Sequence, residues 1–121
     1  MEIIELLKIG TQILKSSNIE NPQLESELLV SNILNIERHK IYCEKIYISP
    51  EEVKKFIEFV EKRIRGFPIP YIIKKVYFYD SEFKIEKGVF IPRPETELLV
   101  EKTIEIYNEN FKPQKIKILD I

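Results

Sequence analysis

The chain has little with which to cross-link, to span a bilayer or to grip a phosphate: one cysteine, one histidine and three glycines in 121 residues, with charges that nearly cancel. Each shortage removes a class of explanation. A lone cysteine, Cys43, excludes an internal disulfide, and without a resolving or ligating partner it is expected to serve as a small buried hydrophobe. His39 has no second histidine beside it, so a surface or helix-end position is expected rather than catalysis, and no metal site is expected. Nineteen basic residues against 20 acidic ones leave a formal net charge of -1. That balance supplies no basic surplus for a phosphate backbone, and nucleic acid is not expected as a direct partner. No apolar run approaches the ~18 residues that cross a bilayer. The opening Met1-Glu2-Ile3-Ile4-Glu5 carries acid where a signal peptide carries a basic leader. A cytoplasmic protein with no membrane partner is the resulting expectation.

What is present is a globular composition, 44% hydrophobic and 32% charged, in a length that suits one ordinary domain and is tight for two. Ile3, Ile4, Leu6, Leu7, Ile13 and Leu14 fall on the rows of an amphipathic helix that ends near Ser16-Ser17-Asn18. Asn21-Pro22 reads as an N-cap with proline at the first helical position, and Leu24, Leu28 and Leu29 begin the apolar face of a second helix. A shorter helix is placed around residues 37–44. Ser49-Pro50-Glu51-Glu52 is a capping box with a preset proline; Val53, Phe56, Ile57, Val60 and Ile64 continue its helix until Gly66 stops it. Lys62, Arg63 and Arg65 gather at the end where the helix dipole favours cations.

After Gly66 the period changes. Pro68 and Pro70 are read as blocking helix, and Tyr71-Ile72-Ile73, Val76-Tyr77-Phe78-Tyr79 and Phe83-Lys84-Ile85 as a hairpin that turns at Asp80-Ser81-Glu82. Pro94 then stands at the first position of another helix, with Glu95 and Glu97 in its positive first turn. Leu98, Leu99, Thr103, Ile106 and Tyr107 supply its buried side, Lys112-Pro113 ends it, and residues 116–121 form a closing strand.

Two strings carry a specific likeness. Ile91-Pro92-Arg93-Pro94-Glu95-Thr96-Glu97, followed after one helix's length by Ile118-Leu119-Asp120-Ile121, closely resembles the release factor glutamine methyltransferase family (PrmC, or HemK), in which I-P-R-P-[ED]-T-E precedes the first strand of the methyltransferase fold. Gly66-Phe67-Pro68-Ile69-Pro70-Tyr71-Ile72 is similar to the family's G-x-P-[IVL]-x-Y-[IL] stretch, and Phe78 and Phe83 resemble the aromatics of its hairpin. Lys74 departs from the pattern, since the family usually has glycine there. If that glycine takes a positive φ, Lys74 must accept the same backbone or mark a different turn.

The resemblance implies a mostly α chain: a small helical bundle over residues 1–66 that recognises the substrate, a β-hairpin linker over 67–92, and over 93–121 the first helix and strand of a truncated α/β (Rossmann-like) methyltransferase domain. It implies an S-adenosylmethionine-dependent parent enzyme that methylates the side-chain amide nitrogen of glutamine in the Gly-Gly-Gln tripeptide of peptide chain release factors. Such a nitrogen is a poor nucleophile, so the site must orient it and stabilise developing charge. The family's Gly-rich loop and Asn-Pro-Pro-Tyr motif do not occur in these 121 residues, so no catalytic residue is expected here and the chain alone is expected neither to bind the cofactor nor to transfer methyl groups. Phe90, Pro92 and Arg93 would line the active-site mouth, Phe90 covering the cofactor and Arg93 meeting a carboxylate. The alternatives are that Phe90 is core and that Arg93 pairs with Glu95 or Glu97. Lys62, Arg63 and Arg65 are the candidates for contact with the acidic surface of a partner, beside their simpler role as a helix-end charge complement. Two other functions stay open: a ribosomal-protein glutamine methyltransferase of the same family, and a free-standing helical interaction module.

Overall fold

The computed structural model describes residues 1–119, which leaves Asp120 and Ile121 of the expected closing strand outside the described residues. The chain divides into two compact units, Met1–Lys74 and Lys75–Ile121.

The first unit is helical. α1 (Ile3–Ser16) buries Ile3, Leu6, Leu7, Gly10 and Leu14, a row spaced three and four residues apart. α2 (Pro22–Leu34) has Asn21 at its N-cap position, but the Asn21 side chain makes no capping bond; Pro22 alone presets the start. A 3-10 turn at Arg38–Tyr42 stands where the short helix was expected. α3 (Pro50–Ile64) opens on the complete capping box: the Glu52 amide donates to Ser49 Oγ at 3.2 Å and the Ser49 amide donates to Glu52 Oε1 at 3.0 Å. The chain start is stitched to the approach of α3, with the Ile3 amide donating to the Ile46 carbonyl at 2.9 Å and the Ile48 amide to that of Met1 at 2.8 Å.

The three long helices meet at Phe56, which is fully buried. A Cβ added to Gly10 would collide with the Phe56 ring, lying 2.8 Å from its Cε1, and would stand 3.0 Å from Ser26 Oγ on α2. Gly10 and Ser26 are therefore the small residues that let two helices close around one aromatic ring. Ser26 is itself fully buried, and its hydroxyl has no hydrogen-bond partner among the described residues. A second tie joins α2 to α3: Arg63 Nε and Nη2 donate to the two oxygens of Glu25 at 3.0 and 3.2 Å, a bidentate pair with both side chains largely covered.

The reading of Tyr71-Ile72-Ile73 as strand is corrected: Ile69–Ile73 is a short helix, α4, with Ile72 buried in the same core as Phe56. Pro70 does not block it, because it sits in the first turn, where the missing amide has no intrahelical partner to lose. Gly66 ends the α3 segment at φ 102°, as its sequence position predicts. Lys74 ends α4 at φ 61°, ψ 31°, so it accepts the left-handed backbone at the position where the resemblance puts glycine.

The second unit begins with a hairpin. β1 (Lys75–Phe78) and β2 (Ser81–Lys84) pair antiparallel, with Phe78 opposite Ser81 and Val76 opposite Phe83. The turn is one position earlier than expected: Tyr79 and Asp80 occupy it with φ 47° and 59°, and Ser81 and Glu82 belong to β2. Two consecutive positive φ values are what a two-residue turn needs to match the strand twist. Tyr79 is held in that backbone by its amide, which donates to Glu97 Oε1 at 2.8 Å. Phe78 and Phe83 meet edge to face, their centroids 6.3 Å apart.

α5 (Pro94–Asn110) starts at Pro94 with Glu95 and Glu97 in its first turn. Its expected buried side is corrected: α5 buries no residue, Leu98 and Leu99 are 68% and 66% exposed, and Thr103 and Tyr107 are only half-covered. The Tyr107 hydroxyl donates to the Gln114 carbonyl at 3.0 Å, holding the following segment beside the helix. Residues 116–119 form no strand, because an extended segment needs a neighbour for its backbone ladder and none is paired with it among the described residues.

Three outcomes test this packing. Gly10→Ala gains about 1 kcal/mol of helix propensity but forces Phe56 aside; the net effect is destabilisation of about 1–2 kcal/mol, read from denaturant unfolding. Arg63→Ala leaves the Glu25 carboxylate half-buried without its partner and costs about 1–2 kcal/mol in the same measurement. Hydrogen bonds from the Ser49 backbone, then from its hydroxyl, hold the Glu52 carboxyl below its ordinary 4.5. A depressed carboxylate stabilises the fold above that ordinary value, and the contribution is lost as pH falls through the lowered one. The gap in melting temperature between wild type and Glu52→Ala is therefore full at neutral pH and narrows on acidification.

Candidate functional site

The helical unit carries a concave face along α1 and α2. Two adjoining cavities of about 670 and 410 Å³ share Thr11 and Gln23 in their walls and so form one trough. Both helices contribute by periodicity. Ile4, Lys8, Thr11 and Lys15 recur along one side of α1, while Gln23, Leu24 and Glu27 come from the first two turns of α2.

Glu27 is 9% exposed, an ionisable group on a face that Leu24, Leu28 and Leu29 mark as apolar in sequence. Its carboxylate is satisfied from three directions. The Tyr42 hydroxyl donates to Oε2 at 2.6 Å, Gln23 Nε2 donates to the same oxygen at 3.4 Å, and Arg38 Nε stands 3.7 Å from Oε1. The 3-10 turn is thereby anchored at both ends to α2. Covering of the Tyr42 hydroxyl, and next its hydrogen bond to Glu27, raise the phenol above its usual 10.0, so the anchor stays protonated through the physiological range. None of these four side chains was singled out from sequence. An acid one turn after Leu24 was the available signal, since it falls on the apolar side of α2.

Of the basic residues at the end of α3, Arg63 is committed to Glu25, and Lys62 and Arg65 are exposed with no ion pair among the described residues. His39 lies at the surface, as expected, 3.3 Å from the Glu37 carboxylate. Cys43 is exposed, which corrects its reading as a buried hydrophobe: it follows the 3-10 turn, whose one buried residue is Ile41.

Phe90 is 76% exposed, so the reading of it as core is corrected. Pro92 is half-covered, and Arg93 stands exposed at the N-cap of α5 with no ion pair to Glu95 or Glu97. Glu97 is engaged by the Tyr79 amide instead. Gly66 and Gly88 stand in open space and Gly10 is filled by Phe56, so no glycine here makes a cradle for an adenosyl group. The described residues do not fit S-adenosylmethionine, and no chemical step is assigned to it in this chain. Among the described residues there is no group of three or more His, Cys, Asp or Glu able to hold a metal ion. No described helix is long and apolar enough to cross a membrane.

The profile of the PrmC N-terminal domain matches residues 5–73, which are the helical unit almost in full. The chain is 42% identical over 109 residues to a release factor glutamine methyltransferase of Dictyoglomus turgidum, covering 89% of this chain and 37% of that protein. It is 38% identical over 114 residues to that of Clostridium botulinum, covering 93% and 40%. Against that of Clostridium acetobutylicum the match is 34% over 123 residues, covering 100% and 42%. The chain thus spans about two fifths of the length of the curated relatives it matches. With that profile laid over α1 to α4 and these relatives running on through the hairpin and α5, the chain belongs to the PrmC N-terminal domain family.

Proposed function

We propose that this chain is the substrate-recognising part of a protein that transfers a methyl group from S-adenosylmethionine to the side-chain amide of the glutamine in the Gly-Gly-Gln tripeptide of peptide chain release factors, acting in the cytoplasm. The observation that supports this most is the match of the family profile to the one unit of the chain that has its own core. The relatives named above carry the release-factor name, which favours that substrate over a ribosomal protein. The hairpin and α5 support the reading in a second way. A 17-residue helix that exposes Leu98, Leu99, Ile104 and Ile106 suits the outer layer of a larger α/β sheet better than the surface of a free-standing module.

In this reading the chemistry belongs to a methyltransferase domain, while the helical unit contributes binding. Phe90, Pro92 and Arg93 then lie at the mouth of the active site, where a guanidinium with no ion pair among the described residues can meet a carboxylate. At the α3 end Lys62 and Arg65 remain available to an acidic partner, whereas Arg63 acts within the fold.

Two measurements on the 121-residue chain test this division of labour. Calorimetric titration with S-adenosylmethionine should give no saturable heat, and no label should pass from it to a release factor; tight cofactor binding would overturn the assignment. The chain should nonetheless bind a purified release factor saturably but weakly, at about 10 μM or above, because a part-sized interface keeps only some of its anchors. Absence of any saturable binding would remove recognition from the helical unit.

A further inference from the structure

We propose that the α1–α2 trough is the docking site for an acidic, extended segment of the protein substrate, an inference that rests on the recognition role just described. Charge is the first reason. The trough is lined by the cations Lys8, Lys15 and Arg38 and by the acids Glu20 and Glu27, a local positive excess on a chain whose net charge is -1. The two acids are not equivalent. Glu27 lies at the floor with its oxygens taken by Tyr42, Gln23 and Arg38, so its charge is turned inward. Lys8 and Lys15 are exposed and make no ion pair among the described residues, so their charge faces whatever enters.

Shape and chemistry of the lining are the second reason. Lys8 and Lys15 stand two helical turns apart on the same side of α1, roughly 10 Å along its axis. Acids at positions i and i+4 of an extended segment share one face about 13 Å apart at about 3.3 Å per residue, within reach of two long lysine side chains based about 10 Å apart. In the same walls Ile4, Leu7, Ile19 and Leu24 offer apolar contact, and Thr11 and Gln12 have side chains not engaged in hydrogen bonds among the described residues. A peptide with acidic and apolar side chains satisfies all three kinds of group. A phosphate backbone satisfies only the cations, because it brings no apolar side chain to Ile4, Ile19 and Leu24. The Glu27–Tyr42–Gln23 network fixes the far wall in advance, so little order remains to be imposed on binding.

The test titrates a purified release factor into the ¹⁵N-labelled chain at low and at high salt, with two charge-reversed variants alongside: Lys8→Glu with Lys15→Glu, and Lys62→Glu with Arg65→Glu. All four positions are exposed and make no ion pair among the described residues, so both variants should stay folded, with a melting temperature lowered by only a few degrees because Lys15, Lys62 and Arg65 lie at helix C-terminal ends. The expected result is shift changes centred on the Thr11, Gln12, Gln23 and Tyr42 amides. Affinity should fall about tenfold or more in the α1 variant, which also loses most of the salt dependence. Wild-type affinity in the α1 variant, or shift changes centred on the α3 end, overturns the trough while leaving recognition by the helical unit intact. No saturable binding by the wild-type chain is a different failure, visible before any variant is compared, and it overturns the recognition role and the trough together.

Discussion

The helical unit depends on how closely α1 and α2 approach each other over Phe56. Gly10 has no side chain because the ring occupies that space, and the fully buried Ser26 closes the same junction, its Oγ 3.0 Å from where a Gly10 Cβ would stand. The rest of the core is arranged around this contact. Leu6 and Leu14 flank Gly10 on α1, Leu29 and Val30 follow Ser26 on α2, and Val60 lies one turn beyond Phe56 on α3, all at 1% exposure or less. Interiors at this density tolerate neither a gap nor an added methyl group, which is why a glycine inside a helix is retained despite its cost in helix propensity.

Close approach along one face of α2 also explains its polar residues. With Ser26 against Phe56, the neighbouring Glu25 and Glu27 are turned toward α3 and the 3-10 turn, where each must find donors. Glu25 finds both in one guanidinium, that of Arg63, and Glu27 finds them in Tyr42, Gln23 and Arg38. A buried carboxylate without such partners would carry a large desolvation penalty; with them it fixes which elements lie beside α2. The trough is the space left beside this fixed wall, bounded at one end by Ile19, Glu20 and Asn21 between α1 and α2.

Local signals hold at three places where one residue type dictates a backbone event, although Asn21 makes no capping bond and Pro70 does not block a helix. The Ser49 capping box, the stop at Gly66 and the start at Pro94 are of that kind, and all three stand where the chain predicts them. Signals that depend on a neighbour do not hold. Tyr71-Ile72-Ile73 has strand composition, yet it is helical because Pro70 falls in a first turn and Ile72 reaches the Phe56 core. The turn at Tyr79-Asp80 lacks the usual Asn-Gly, and a bond to Glu97, distant in sequence, holds it. On the candidate site, composition indicated the cations at the end of α3 but not that Arg63 is bound to Glu25, a residue 38 positions away. The Glu27 network was illegible for the same reason: an acid on an apolar row is informative only once its donors are known. The covering of α5 was inferred from periodicity, which reports which face wants burial and not whether anything is present to bury it.

The helical unit has its own core, and the helix of the second unit buries no residue. Native-state hydrogen exchange on the 121-residue chain reads this directly, since amides that open only with global unfolding share one free energy and unsupported helices exchange early. The slowest amides should lie in α1, α2 and α3 around Leu14, Leu29, Val30, Phe56 and Val60, at a common value, while Leu98 to Tyr107 of α5 exchange much faster. Protection of α5 equal to that of α1 to α3, or loss of protection around Phe56, would contradict it.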